Sequence, residues 1–184
     1  MTAPHRRESG LPASATGAAV RDAAAADLPA IEAIYDHYVR TSTCTLQTES
    51  STPEQRAAWF ARLGGPHPVL VAEAAGELVA WGALVPYAER AGYRHTVEDS
   101  IYVRHDRRAK GLGRLVLSAL LARADALGHR CIVAKIASTE TASLKLHAAL
   151  GFVDAGCLRE AGRKFDRWVD VSFMQRLHPE RSGS

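Results

Sequence analysis

Hydrophobic and polar positions recur along this chain with two periods, and the changes of period divide it into elements. Leu28, Ile31, Ile34, Tyr35, Tyr38 and Val39 follow three- and four-residue steps, the spacing of one helix face. Asp27 stands where that helix needs an N-cap, and Pro29 is tolerated in its first turn. Thr52, Pro53 and Gln55 form a second start signal: Thr52 caps, Pro53 suits the first helical position, and Gln55 reaches back. Gly64 and Gly65 are expected to end that helix. Residues 19–21 read as a short strand, and 69–74 and 78–85 as a hairpin around Gly76. Residues 86–95, with Pro86 and Gly92, read as a loop before a strand over 96–103. Leu112, Leu115, Val116, Ala119, Leu120 and Leu127 mark the buried stripe of a helix over 111–127 that Gly128 terminates. A short apolar strand over 131–136, a helix over 141–150 ended by Gly151, and strands over 152–158 and 168–176 complete the set. The order predicts one α/β (α+β) domain over residues 19–178, antiparallel in its first half and with a crossover helix in its second. Residues 1–18 and 179–184 have no such periodicity and read as disordered tails.

Composition narrows the class. The chain has 184 residues, 47% of them hydrophobic and 23% charged, the profile of a globular protein with a substantial core. No apolar run is long enough to span a membrane, and the arginines at 6 and 7 are not followed by the apolar stretch of a secretory signal. Cys44, Cys131 and Cys157 are far apart and form no CxxC or Cys/His cluster, so neither a disulfide framework nor a metal site is expected. These features fit a cytoplasmic protein. A net charge of +3 is too small to imply nucleic-acid binding.

The positive charge is concentrated at one place. Arg108-Ala109-Lys110-Gly111-Leu112-Gly113-Arg114 leaves a strand and opens a helix. Free N–H groups at a helix start suit a pyrophosphate, glycines let the backbone approach it, and the basic side chains add charge. The segment lacks the Gly-Lys-Ser/Thr of a Walker A loop, and Val116 replaces the third glycine of a dinucleotide fingerprint.

Arg108-Ala109-Lys110-Gly111-Leu112-Gly113 matches the Gln/Arg-x-x-Gly-x-Gly/Ala signature of the GCN5-related N-acetyltransferases, which the chain resembles. Within that superfamily it is similar to the phosphinothricin and methionine sulfone/sulfoximine acetyltransferases. The resemblance extends from Val20 to Leu177 and rests on four further stretches. They are His37-Tyr38 with Thr41-Ser42-Thr43, residues 93–103, residues 142–152 and residues 162–170. It implies a mixed, mostly antiparallel sheet with a splayed parallel strand pair and helices on both faces. It also implies acetyl-CoA as co-substrate and a homodimer. Ile101, Tyr102 and Val103 would line the pantetheine, and Ala109 to Arg114 would hold the pyrophosphate. Many relatives carry Asn where this chain has Glu140, so Glu140 either contacts the cofactor or points to solvent.

Transfer to an α-amine requires a neutral nitrogen, which a carboxylate can provide directly or through a water. The resemblance gives that role to Glu98, whose alternative is a surface or salt-bridged glutamate. Strand alternation turns Asp99, often His in relatives, to the other face, so the two are not expected to share a site. His147 falls where relatives place a tyrosine that protonates the leaving thiolate; its alternative is packing against Phe152. Ala91, Gly92, Tyr93 and Arg94 fall in the acceptor region, with Arg94 as a candidate for an α-carboxylate and Arg90 and Lys164 as alternatives. Tyr35 and Tyr38 either contribute to that site or belong to the core. The expected acceptor is a small amino-acid-like amine. Peptide, polyamine and aminoglycoside acceptors, and a non-catalytic CoA-binding regulatory domain, are the alternatives.

Overall fold

The computed structural model describes residues 17–178 and contains seven strands and four helices. In chain order they are β1 (Ala19–Asp22), α1 (Leu28–Thr41), α2 (Pro53–Ala61), β2 (Val69–Ala74), β3 (Glu77–Pro86) and β4 (Thr96–Val103). Then follow α3 (Leu112–Leu127), β5 (Cys131–Ala137), α4 (Thr141–Ala148), β6 (Val153–Lys164) and β7 (Arg167–Leu177). The expected tails at 1–16 and 179–184 lie outside the described residues. Ala18, assigned to the first tail, is buried in the core.

One sheet in the order β1-β2-β3-β4-β5-β7-β6 forms the middle layer. Every neighbouring pair is antiparallel except β4–β5, which is parallel and joined through α3. Ala75 and Gly76, both at positive φ, close the β2–β3 hairpin as a two-residue loop requires. One core lies between the sheet and α3, where Val116, Leu117, Leu120 and Ala124 meet Ala80, Leu84, Val97 and Ile132. The other lies on the opposite face, where Ile31, Ile34 and Tyr38 of α1 meet Val71, Trp81 and Ala83. Gly82 lets α3 settle on the sheet: a Cβ there would stand 2.8 Å from both Leu120 Cδ1 and Val116 Cγ1.

Several local expectations change. Asp27 is positioned at the start of α1 but does not cap it. Its carboxylate accepts from the Ala24 N–H at 2.7 Å and from Arg21, tying the preceding turn to β1. Thr52 and Gln55 do form the reciprocal cap of α2, but that helix ends at Ala61, before the two glycines. Of the expected stripe of α3, Leu112, Val116 and Leu120 are buried, Leu115 and Ala119 are half-buried and Leu127 is exposed; Leu117, Leu121 and Ala124 complete the buried face. The largest difference is β6, which runs to Lys164 and not to residue 158. It is an edge strand, exposed along nearly its whole length, so no apolar alternation marks it.

The feature that creates the site is a parting of strands. β4 and β5 pair over only four positions, from Thr96 with Cys131 to Asp99 with Ala134. Beyond these, β4 stays with β3 as far as Val103 and β5 stays with β7 as far as Ala137.

Candidate active site

A cavity of about 740 Å³ opens where β4 and β5 separate. Residues 98–103 of β4 and 134–137 of β5 form its walls, with the turn before α3 at one end and one side of α4, from Ala142 to His147, beside it.

The turn has the geometry of an anion site. Ala109 has φ 62° and Gly111 φ 77°, so the chain twice adopts the left-handed conformation before α3 begins. No side chain caps α3, and its first backbone bond runs from Leu115 N to Gly111 O. The N–H groups of the first turn thus have no intrahelical partner. Gly111, Leu112, Gly113 and Arg114 all line the cavity, as do Arg108 and Ala109; Lys110 does not. Gly113 is also held close to α4, since a Cβ there would lie 3.2 Å from Leu146 Cδ2. These residues fit a pyrophosphate. Glu140 lines the same cavity at the start of α4, and its carboxylate lies 3.8 Å from the Arg108 guanidinium.

Alternation along β4 sorts the wall. Tyr102 turns to the aromatic cluster on α1, 4.9 Å from the Tyr35 ring and stacked on Trp81. Ile101 and Val103 pack on the α3 side. The Val103 carbonyl is already taken, accepting from the Tyr38 hydroxyl at 2.6 Å. Tyr35 and Tyr38 are both core residues and cavity residues.

Glu98 and Asp99 do face opposite sides of β4, yet both line the cavity. The expectation of separate sites does not hold, because the cleft passes through the sheet where the neighbouring strand departs. Glu98 forms an ion pair with Lys135 of β5 at 2.7 Å. Asp99 accepts from His147 Nε2 at 3.0 Å, and both side chains are almost fully buried. His147 Nδ1 lies 2.8 Å from the Ser143 carbonyl, so it carries a proton and donates there. Burial, the largest influence, pulls the imidazole pKa down. The Asp99 carboxylate and the Ser143 carbonyl together outweigh it, and the net shift is upward. His147 also packs edge-on against Phe152, with ring centroids 4.9 Å apart.

The predicted acceptor loop is arranged differently. Ala91, Gly92 and Tyr93 form a 3₁₀ turn, and neither they nor Arg90 and Arg94 line the cavity. The turn approaches it through Tyr93, whose ring meets Tyr87 at 5.5 Å; the Lys135 ammonium lies 5.5 Å from the Tyr87 ring. Lys164 is buried and donates to the carbonyls of Thr45 at 2.8 Å and Tyr38 at 3.4 Å. That ammonium fastens β6 to the segment after α1 and does not line the cavity. Cys44 lines the cavity, but burial pushes its thiol up, away from the reactive thiolate.

Sequence reasoning missed two partners. Lys135 is a lone charge inside the apolar run Cys131–Ala137, and that interruption was the available signal. The Asp99–His147 contact spans 48 positions and carries no local signal. Among the described residues, no group of three or more His, Cys, Asp or Glu is placed to hold a metal, and no helix is long and apolar enough to cross a membrane.

Comparison with known proteins agrees with this geometry. The sequence model of the acetyltransferase (GNAT) family matches residues 31–152. An L-methionine sulfoximine/L-methionine sulfone acetyltransferase of Pseudomonas aeruginosa is 45% identical over 170 residues, covering 90% of this chain and 98% of that protein. A phosphinothricin N-acetyltransferase of Alcaligenes faecalis is 44% identical, covering 82% of this chain and 77% of its own length. In three dimensions, the crystal structure of a GNAT superfamily phosphinothricin acetyltransferase from Sinorhizobium meliloti in complex with AcCoA superimposes with a TM-score of 0.86. It is 36% identical and covers 91% of this chain and 92% of its own.

Proposed function

The chain belongs to the GNAT acetyltransferase family and is an acetyl-CoA-dependent N-acetyltransferase, and from that premise we propose that Glu98 prepares its acceptor, the α-amine of a small amino acid analogue. Methionine sulfone, methionine sulfoximine and phosphinothricin represent the acceptor class. The observation that carries the reading is the single cavity that runs from the phosphate turn at Arg108–Arg114 to the carboxylate of Glu98.

Acetyl-CoA, when bound, supplies an acetyl group activated as a thioester. The first turn of α3, with Arg108 and Arg114, holds the anionic end, and the parted edge of β4 from Ile101 to Val103 faces the arm. Glu98 takes a proton from the acceptor ammonium, directly or through one water, and leaves a lone pair on nitrogen. An α-amino group of pKa about 8 needs only modest help at neutral pH, about 1.4 kcal/mol per unit. A backbone N–H of β4 stabilises the charge that develops on the carbonyl oxygen. His147 is the acid of this scheme. Both its nitrogens are engaged, so a proton leaves it only when a bond to Asp99 or Ser143 opens. A thiolate whose thiol pKa is about 8.5 departs readily enough for this contribution to be smaller than that of Glu98.

The reading extends to a cytoplasmic homodimer whose second copy completes the acceptor side. The exposed Leu158, Phe165 and Trp168 on the β6–β7 hairpin support such a contact. Resistance to toxic glutamate or methionine analogues would follow from acetylation.

The test is thiol release from acetyl-CoA against methionine sulfone, methionine sulfoximine, phosphinothricin, ordinary amino acids, spermidine, an aminoglycoside and a short peptide. Turnover confined to the amino acid analogues is expected. Glu98→Gln should lower kcat about a hundredfold or more, with acetyl-CoA affinity retained. Turnover only with polyamine, aminoglycoside or peptide would refute the acceptor class.

A further inference from the structure

The cationic side chains that line the cavity are Arg108, Arg114, Lys135 and His147. Arg108 and Arg114 flank the turn before α3, at the phosphate end. His147 is committed to Asp99 and to the Ser143 carbonyl. Lys135 alone stands at the Glu98 end, its ammonium 2.7 Å from the Glu98 carboxylate. It sits just past the last β4–β5 pair, on the strand opposite Glu98. It is the one exposed position in an otherwise buried or half-buried strand, and its side chain keeps 38% of its accessibility. A lysine there contributes nothing to either core. Its aliphatic stem and charge are directed to the cleft, beside the Tyr87 ring.

An α-amino acid carries an ammonium and a carboxylate on adjacent carbons. The Glu98–Lys135 pair presents the opposite charges, a carboxylate and an ammonium, at one end of the cleft. We propose that Lys135 is a specificity-determining residue that binds the α-carboxylate of the acceptor, while Glu98 receives its ammonium. The resting ion pair opens, and each member exchanges its partner for a charge on the substrate. No net charge is stranded in the exchange, since two like-strength pairs replace one pair and a hydrated zwitterion. This rests on the acceptor class proposed above and deepens it: the free carboxylate itself is read. It also moves the carboxylate contact from Arg94, which lines no part of the cavity, to β5.

Amines without the carboxylate leave Lys135 facing Glu98, so the base stays covered. The enzyme therefore discriminates against polyamines and against blocked amino acids at the same point.

The experiment compares kcat/KM for L-methionine sulfone and its carboxamide in the wild type, Lys135→Gln and Lys135→Arg. Taking the ratio of acid to amide within each enzyme, and then between enzymes, cancels the difference in amine basicity. A hydrogen bond between charged groups corresponds to roughly ten- to a hundredfold in such a ratio. The wild type is expected to favour the acid by that factor beyond Lys135→Gln, chiefly through KM, with Lys135→Arg retaining most of the preference. Fluorescence titration with CoA checks that each variant is folded and loads its cofactor. Equal losses for acid and amide in Lys135→Gln would overturn the proposal and leave Lys135 as a partner of Glu98 only. Turnover of neither compound by the wild type, with spermidine or peptide accepted, would instead refute the acceptor class, and this proposal with it.

Discussion

Replacing Asp99 by Asn tests the buried pair at the base of the cleft. The substitution keeps shape and removes one charge. His147 would still donate from Nδ1 to the Ser143 carbonyl, and its Nε2 would accept from the new amide as a neutral imidazole. The pair is therefore weakened and not orphaned. Truncating one member of a buried pair costs about 3–5 kcal/mol. Exchanging a charged hydrogen bond for a neutral one costs less, about 2 kcal/mol, or roughly 4–8 °C in Tm for a chain of this size. The pH dependence gives the test its sign. The folded-state pKa of His147 is raised above its ordinary value of 6.5. Its contribution is then fully present below about pH 6.5 and lost as pH rises through the folded pKa. Urea denaturation at pH 5.5, 7 and 8.5 should show Asp99→Asn most destabilised at the lowest pH, with the gap to wild type closing as pH rises. A gap of equal size at all three values would refute the ion-pair reasoning and leave only packing.

Two further substitutions probe the other ends of the site. Glu140→Gln frees Arg108 from its counter-anion and should tighten acetyl-CoA binding roughly two- to fivefold, since the pair is half-exposed; calorimetric titration at low and high salt measures it, and unchanged affinity would mean that Glu140 does not compete for Arg108. Gly82→Ala forces a Cβ to 2.8 Å from Val116 and Leu120 and 2.9 Å from the Ser100 carbonyl, which cannot yield as a side chain can. It should destabilise the fold by about 1–3 kcal/mol in urea melts.

The sequence made some of this legible and hid the rest for physical reasons. The bounds of β4 were readable because a proline- and glycine-bearing loop precedes it and the basic turn follows it. The turn before α3 was readable because its signal is local: Gly111, at positive φ, and the basic residues Arg108, Lys110 and Arg114 are close neighbours in the chain. Glu98 was located by resemblance and by its strand. Its lysine partner was not, because β4 and β5 are joined through a helix and their register is a tertiary fact. Asp99 faces away from Glu98, as alternation requires, and still lines the same cavity. Alternation separates two faces only while the sheet between them is closed, and β5 leaves β4 just after the Asp99–Ala134 pair. β6 was shortened because an exposed edge strand has no buried face to impose a pattern, and its ladder with β7 is interrupted between Leu158 and Gly162 before it resumes to Lys164.

The parting of β4 and β5 leaves two internal strand edges facing one another. An unpaired edge ordinarily recruits another strand. In the function proposed above, an elongated ligand with amide groups would become the missing rung, held by main chain. Main-chain recognition depends little on which apolar side chain a position carries, so a volume-conserving exchange at Ile101 is expected to spare the arm. Acceptor recognition, in the function proposed above, would rest on Glu98 and Lys135, two single side chains. The proposed function thus divides the two substrates of one reaction between main chain and side chains, so that a single substitution could alter the acceptor while the donor's seat stays in place.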